Sequence, residues 1–367
     1  MNMTQPIKIL QILDHIGRDS GIMNVILNWQ RHINRSKVQF DYLSFFPANS
    51  NDYAQQVHQL GGSIYQLPHP YRNPLKFLWK SYRFFKMHRY NTIHSHITQL
   101  NFFFYPLAKW FGTKNIIQHA HGTKWSDKKL NGWRNYLMLH VVWPLITHKL
   151  ACSQAAGKFW YKKDFTLINN GVDVKKFAYS PAVRAAKRKE LNIENNFVVG
   201  HIGRFSPEKN HASLINIFRE LIKQDPSARL LLVGAGPLEE KIKRLAAAEH
   251  LEDRIVFLGT RTDVAELYQA FDVFVLPSLQ EGMPVVGIEA QAMGLPCVFA
   301  DTITPEVVLL PTSNRLSLKE PPNQWAQRIL SLKNTPHING VPYLREKGFD
   351  ITQIAAKIQH FYEELEK

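Results

Sequence analysis

Two carboxylates, Glu281 and Glu289, stand with seven residues between them in an otherwise apolar, small-residue stretch, "LPSLQEGMPVVGIEA" at positions 276 to 290. A folded core accepts an unpaired carboxylate only at a high cost in free energy, so the pair asks for a purpose. Three chemistries fit. Glu289 could be one solvated charge on a buried helix that begins at Pro284 and is stopped by Gly294, with Pro296 beyond. The two could be the acid and base of a glycoside hydrolase, which needs carboxyls about 5–5.5 or about 6.5–9.5 Å apart. Eight helical steps would separate their backbones by roughly 12 Å, but Glu281 precedes the helix, so spacing leaves that distance open. Third, Glu281 could lie in the loop after a strand at 272–277, with Glu289 two turns into the helix. The pair would then grip the hydroxyls of a sugar and a ribose, and the helix start between them would offer free backbone N–H groups to an anion.

The elements that must position such a site are legible as short apolar runs. "FVVGHIGRF" (197–205), "ARLLLVGAG" (228–236), "RIVFLGT" (254–260), "DVFVLP" (272–277) and "PCVFA" (296–300) read as buried strands. Helical stretches at 209–224, 237–249, 262–270 and 284–293 separate them, the pattern of a doubly wound parallel sheet whose ligands gather at the carboxyl ends of its strands. The first half repeats the theme with strands at 7–13, 40–45, 63–67, 92–96 and 115–122 and a helix at 20–33. Loops at 47–52 and 68–74 carry turn residues. The expected organisation is an N-terminal domain over 1–172, a C-terminal domain over 173–345, and a closing amphipathic helix within 346–367 that packs back on the N-terminal domain. The join lies near "LINNGVDVKKFAYSPA" (167–182).

Charge divides the chain in the same place. Up to Val172 there are 21 Lys plus Arg against 6 Asp plus Glu, whereas from Asp173 onward there are 24 of each. The whole net charge of +15 therefore belongs to the first half, which must face something anionic. Between Asp52 and Asp127 there is no acid, while Arg72, Lys76, Lys80, Arg83, Lys86, Arg89, Lys109, Lys114 and Lys124 all fall there. Two cysteines, Cys152 and Cys297, suggest neither a disulfide framework nor a metal cluster. The start, "MNMTQPIKILQIL", has too short an apolar run for a secretory signal, and no segment reaches the roughly 18–20 apolar residues of a membrane span. A cytoplasmic protein, able to sit on the inner face of the membrane, is expected.

"PSLQEGMPVVGIEAQAMGLPCV" resembles the E-x7-E segment of the retaining glycosyltransferases of family 4. "VGHIGRFSPEKNH" (199–211), "LLLVGAGPLEE", "IVFLGTRTDVAELYQAFDVFVLPS" and "INNGVDVKKF" resemble further segments of that family in the expected order, so the likeness covers most of residues 167–300. It implies an α/β protein of the GT-B fold, two Rossmann-like domains facing a central cleft. It further implies that Arg204 and Lys209 hold the diphosphate of a nucleotide-sugar donor, a UDP-sugar, with Gly203 and Gly234 in the adjoining turns. Glu289 would accept from ribose hydroxyls. Glu281, with the backbone of Gly282, Met283, Pro284 and Val285, would bind the transferred sugar. His121 in "HAHGT" matches the family's histidine near the reacting sugar. Gly21 in "DHIGRDSGIMNV" (14–25) belongs to a loop that approaches the donor phosphates, with Ser20–Gly21 where the family has a glycine pair. Thr302-Ile303-Thr304 likewise replace a glycine pair before Pro305-Glu306. His94, His96 and His119 have no Cys or carboxylate nearby to complete a ligand set and are read as strand-end residues rather than metal ligands. No Asp-x-Asp occurs, so neither a metal nor another cofactor is expected.

In the basic half, "YRNPLKFLWKSYRFFKMHRY" (71–90) interleaves cations with aromatics, and Leu75, Leu78, Trp79, Tyr82 and Phe85 fall at helical spacing. Such a helix could pack these residues on the core or lay them on an anionic membrane. No nucleic-acid module pattern is present, although cations and aromatics would suit a single strand. The acceptor implied by the resemblance is a glycan, carried on a polyprenyl diphosphate, in cell-surface polysaccharide synthesis. Two rival functions share these features: a nucleotide-sugar 2-epimerase of the same fold, and a non-catalytic binder of anionic lipid or RNA.

Overall fold

Short runs of β-branched and aliphatic residues, each too brief for a stable helix, build two all-parallel sheets. The computed structural model describes residues 5–17, 20–46, 51–98, 100–123 and 129–367. The chain divides into two compact units, Met1–Gly171 together with Ile351–Lys367, and Val172–Asp350.

The first unit holds β1 (Ile7–Ile12), β2 (Val38–Ser44), β3 (Ile64–Gln66), β4 (Thr92–Ser95), β5 (Asn115–Ala120), β6 (His148–Ala151) and β7 (Thr166–Leu167). They lie in the order β3-β2-β1-β4-β5-β6-β7, with parallel register throughout, Ile9 facing Phe40 and Thr92 for example. Periodicity missed β6 and β7. β7 is two residues long, and β6 follows an apolar stretch that reads as helix until the sheet claims its last four residues. The sequence of the closing helix, Ile351–Leu365, places Ile351, Ile354, Ala355, Ile358 and Tyr362 on one stripe, and these are the residues it buries. It packs on the helix Gly21–His32 and on β2.

The second unit contains β8 (Val198–Ile202), β9 (Arg229–Val233), β10 (Ile255–Phe257), β11 (Val273–Leu276), β12 (Cys297–Ala300) and β13 (Asn314–Leu316) in the order β10-β9-β8-β11-β12-β13. Helices His211–Gln224, Glu239–Ala248, Val264–Ala270 and Val285–Ala292 lie where the sequence puts them. β13, a half-buried "NRL", escaped the pattern, as did the helices Pro181–Glu190, Pro322–Leu330 and Val341–Glu346. The strand order reverses between β8 and β11, which opens a crevice at their carboxyl ends, the place where such sheets bind ligands. The unit runs on through the helix Val341–Glu346 to Asp350, whose neighbour Phe349 accepts a hydrogen bond from Val172 N at 3.0 Å.

The helix Pro74–Met87 settles differently from the simplest expectation. Phe77, Ser81, Phe84 and Phe85 form its buried face. Leu75, Leu78, Trp79 and Tyr82 are exposed, Leu75 at 82% and Trp79 at 52%. Of the five residues expected on one stripe, Phe85 alone reaches the core, because the helix is apolar on two sides and the sheet can cover only one.

Candidate functional site

In the second unit, the loops that follow β8, β9, β11 and β12 are tied to one another at the carboxyl edge. After β8 the chain runs through Gly203 and Arg204 into a short 3-10 turn, Pro207–Lys209, and reverses at Asn210, which adopts a left-handed conformation (φ 55°). Asn210 Nδ2 donates to Pro277 O at 3.1 Å, and Leu279 N donates to Glu208 O at 2.8 Å, so the loops after β8 and β11 are stitched together. Thr302 Oγ1 donates to Ser278 O at 2.6 Å and joins the loop after β12 to the same seam. That gives Thr302, at the place of the missing glycine pair, a structural duty, while Ile303 beside it is fully buried.

Gly234 explains how β8 and β9 can end so close together. It has φ +132°, and a Cβ there would fall 2.2 Å from Gly203 O, so only glycine fits. Gly203 in turn lies under the aliphatic part of Lys209, whose Cδ would sit 3.3 Å from an added Cβ. The result is a floor of bare backbone with a lysine laid over it.

Lys209 Nζ donates to Glu281 Oε1 at 2.6 Å, and both side chains are largely screened from solvent. The two groups assigned separately to phosphate and sugar thus form one charge pair across the β8–β11 crevice. A lysine ammonium carries three N–H donors in all, so the pair leaves donors for an anion without uncovering the carboxylate. Arg204 is exposed on the same loop. Glu281 is followed by Gly282, buried Met283 and Pro284, which is the N-cap of the helix Val285–Ala292.

Glu289 has a different set of partners. Tyr268 Oη lies 3.1 Å from Glu289 Oε2 and 2.9 Å from Val286 O. Burial pushes the Glu289 carboxyl up to about 7, against smaller opposing effects of the Tyr268 hydrogen bond and the charge of Lys176. A phenol has one proton to give, so a neutral Glu289 that donates to Tyr268, while Tyr268 donates to Val286, satisfies every group. Nothing in the local sequence announces Tyr268 as this partner, since it lies 21 residues upstream.

In the first unit, Ser20 caps the helix Gly21–His32 by accepting from Met23 N at 3.2 Å, and Gly21 has open space at its α-carbon. Arg18 and Asp19 of the same loop lie outside the described residues, as do residues 47–50 of the predicted turn and Lys124. His121 stands just past β5 and is hydrogen-bonded through Nε2 to His96 Nδ1 at 2.8 Å. His94 and His96 on one strand end and His119 on the next complete a stacked imidazole cluster, His119 and His121 with ring centroids 4.2 Å apart. Burial holds all four neutral, driving His94, His96 and His119 well below the ordinary histidine range and His121 to about 3. Sequence reasoning singled out His121 but not its supports, Gln11 and Tyr362, which come from the two ends of the chain.

Residues 183–347 match the family Glycosyl transferases group 1, and residues 20–176 match Glycosyltransferase Family 4. A putative glycosyltransferase, EpsF of Bacillus subtilis, is 34% identical over 346 residues, 90% of this chain and 88% of the relative. The Escherichia coli enzyme named UDP-Gal:alpha-D-GlcNAc-diphosphoundecaprenol alpha-1,3-galactosyltransferase is 30% identical over 241 residues, 62% of each chain. Among solved structures, HepE of Anabaena in complex with UDP-glucose has a TM-score of 0.81 at 20% identity, covering 97% of this chain and 99% of that one. Sucrose-phosphate synthase of Thermosynechococcus elongatus has a TM-score of 0.77 at 20% identity and covers 99% of both.

Proposed function

The chain belongs to the group 1 and family 4 glycosyltransferases, with the GT-B fold, and from that premise we propose how it works. It takes a UDP-sugar and passes the sugar, with retained anomeric configuration, to a glycan hydroxyl carried on a polyprenyl diphosphate. The reading rests on one observation: Lys209, Glu281, Gly203 and Gly234 meet at the reversal point of the second sheet, on a floor with no side chains.

The diphosphate lies over Gly203 and Gly234, where the backbone can approach it, and takes hydrogen bonds from Lys209 and Arg204. Charged hydrogen bonds of this kind contribute about 1.5–3 kcal/mol each. They matter most as the bond from the sugar's anomeric carbon to the phosphate oxygen breaks and negative charge collects on the leaving diphosphate. The acceptor oxygen attacks the same face of the sugar, and its proton passes to the departing phosphate, so no dedicated protein base is required. Glu281 and the backbone of Gly282, Met283 and Val285 hold the sugar's hydroxyls, Glu289 the ribose, and His121 a hydroxyl near the reacting carbon. Arg204 and Lys209 supply the charge compensation that a metal ion provides in other transferases.

Two observations support a lipid-linked acceptor at a membrane. The related Escherichia coli enzyme is named for an acceptor on diphosphoundecaprenol. In this chain the exposed side of the helix Pro74–Met87 sets Lys80 and Arg83 over the Trp79 ring, at 5.6 and 4.9 Å from its centroid, and Lys86 over Tyr82. An apolar groove of about 600 Å³ opens beside it, between Leu78, Phe103, Leu107 and Val142. Cations beside exposed aromatic and aliphatic groups are what an anionic bilayer surface attracts.

The test is proton NMR of UDP-sugars with and without a GlcNAc-diphosphate-lipid acceptor. Transfer with the anomeric configuration kept, undiminished in EDTA, is expected. Arg204→Ala and Lys209→Ala should each lower turnover about a hundredfold, the scale on which lost transition-state electrostatics is felt. A new sugar signal from donor alone would mark an epimerase instead. Near-normal turnover in both variants would remove the assignment of those two residues.

A further inference from the structure

We propose that a single file of hydrogen-bonded side chains, anchored on Tyr362 of the C-terminal helix and running through Gln11 and His96, fixes His121 as the Nε2–H tautomer. His121 then presents the bare Nδ1 lone pair to a ligand hydroxyl. That the hydroxyl is a sugar's rests on the transferase reading; the tautomer does not.

Each link follows from what its neighbour can accept. Gln11, wholly buried in β1, places Oε1 2.8 Å from His96 Nε2. A carbonyl oxygen can only accept, so His96 carries its proton on Nε2, and a neutral ring then leaves Nδ1 bare. That bare nitrogen faces His121 Nε2 at 2.8 Å, so His121 must donate from Nε2 and keep Nδ1 unprotonated. On the other side, Gln11 Nε2 donates to Tyr362 Oη at 3.2 Å, and the one Tyr362 proton goes to His94 Nδ1 at 2.6 Å. His94 therefore donates from Nε2 to His119 Nδ1 at 3.1 Å. The file ends there, at His119 Nε2, which is buried with no partner among the described residues. Six side chains thus share one polarity.

The polarity has a single control point. Were the Gln11 amide turned over, every donor would become an acceptor, and His121 would offer a proton at Nδ1 instead of a lone pair. Burial of the imidazoles, with the Trp29 indole stacked 5.7 Å from His119, keeps an added proton from resolving the conflict. Three of the rings bring ligand nitrogens within 4.8 Å of one another, a spacing a metal could use. Apart from His119 Nε2, the observed bonds spend those nitrogens on each other and on His121, Gln11 and Tyr362. Tyr362 and Gln11 are therefore positioning residues for His121, 351 positions apart in sequence.

The experiment is two-bond ¹H–¹⁵N correlation of protein labelled with ¹⁵N-histidine, read in the wild type and in Tyr362→Phe. The phenylalanine keeps the ring that packs edge-on against Phe40 at 5.8 Å and removes only the hydroxyl. In the wild type, His121 should show protonated Nε2 and bare Nδ1 from about pH 5.5 to about pH 8, with no titration. In Tyr362→Phe the Gln11 amide loses its acceptor, both tautomers of His121 appear, and turnover falls about tenfold with the donor KM unchanged, the size of one lost hydrogen bond. A proton on His121 Nδ1 in the wild type overturns the proposal, as does a Tyr362→Phe protein with native tautomer and native turnover. Should that variant not fold, the wild-type spectrum decides alone. A protein without transferase activity but with the Nε2–H tautomer sinks the functional reading and leaves this one standing; an active transferase with the proton on Nδ1 does the reverse.

Discussion

Glu289 offers the sharpest quantitative test, because its environment makes it stabilising in one protonation state and costly in the other. Its carboxyl is raised by burial from 4.5 to about 7. A raised acid binds its proton more tightly in the folded chain than in the unfolded one. Between those two values the folded state therefore holds more protons, and stability must fall as pH rises through the window. Two and a half pKa units at 1.36 kcal/mol each amount to about 3 kcal/mol of penalty above pH 8, and about 1 kcal/mol at pH 5. Glu289→Gln removes the ionisation and keeps, in its amide N–H, a donor to Tyr268, whose hydroxyl lies 3.1 Å from Glu289 Oε2. The variant should be more stable than the wild type by about 3 kcal/mol at pH 8.5, and by about 2 kcal/mol less than that at pH 5. Urea unfolding of both proteins at both pH values, followed by the fluorescence of the eight tryptophans, measures the double difference, in which every other titrating group cancels. The same stabilisation at both pH values, or none at either, would refute the reasoning. In calorimetry with UDP the variant should bind more weakly at pH 8.5, because an amide replaces the charged acceptor proposed for the ribose.

Gly234→Ala should destabilise the second unit by about 1–3 kcal/mol and abolish donor binding, since a methyl at φ +132° would stand 2.2 Å from Gly203 O; thermal unfolding with and without UDP reads both effects. The exposed side of the helix Pro74–Met87 should bring the protein down with phosphatidylglycerol vesicles at low salt and not with phosphatidylcholine alone. Reversing Lys80 and Arg83 to Glu should weaken that binding by about 1 kcal/mol or more per charge, and sedimentation unaffected by the reversal would remove the membrane from the reading.

Much of the site was legible because its parts sit where strands stop, and strands announce themselves. The apolar runs at 197–205 and 272–277 bring Arg204 to the end of one strand, Lys209 to the start of the helix after it and Glu281 to the loop after the other before any coordinate is known, and Pro284 and Gly294 bracket the helix that carries Glu289. Composition likewise located the basic half. What stayed hidden were the partners. Lys209 and Glu281 were given separate ligands, yet they hold each other across 72 residues. The aromatic stripe of the helix Pro74–Met87 suggested one apolar face where there are two.

The sequence by itself determined two parallel α/β sheets, a neutral half and a basic half, and which segments would lie at the carboxyl edge of the second sheet. Hydrophobic alternation and turn residues act over a few positions, so they survive in the order of the letters. Tertiary structure alone decided that Glu289 meets Tyr268, that Thr302 ties down the loop after β11, and that Gln11 meets Tyr362 across 351 residues. A buried polar group must find a partner, but which one it finds depends on how the loops between them close. No local pattern of residues encodes that choice.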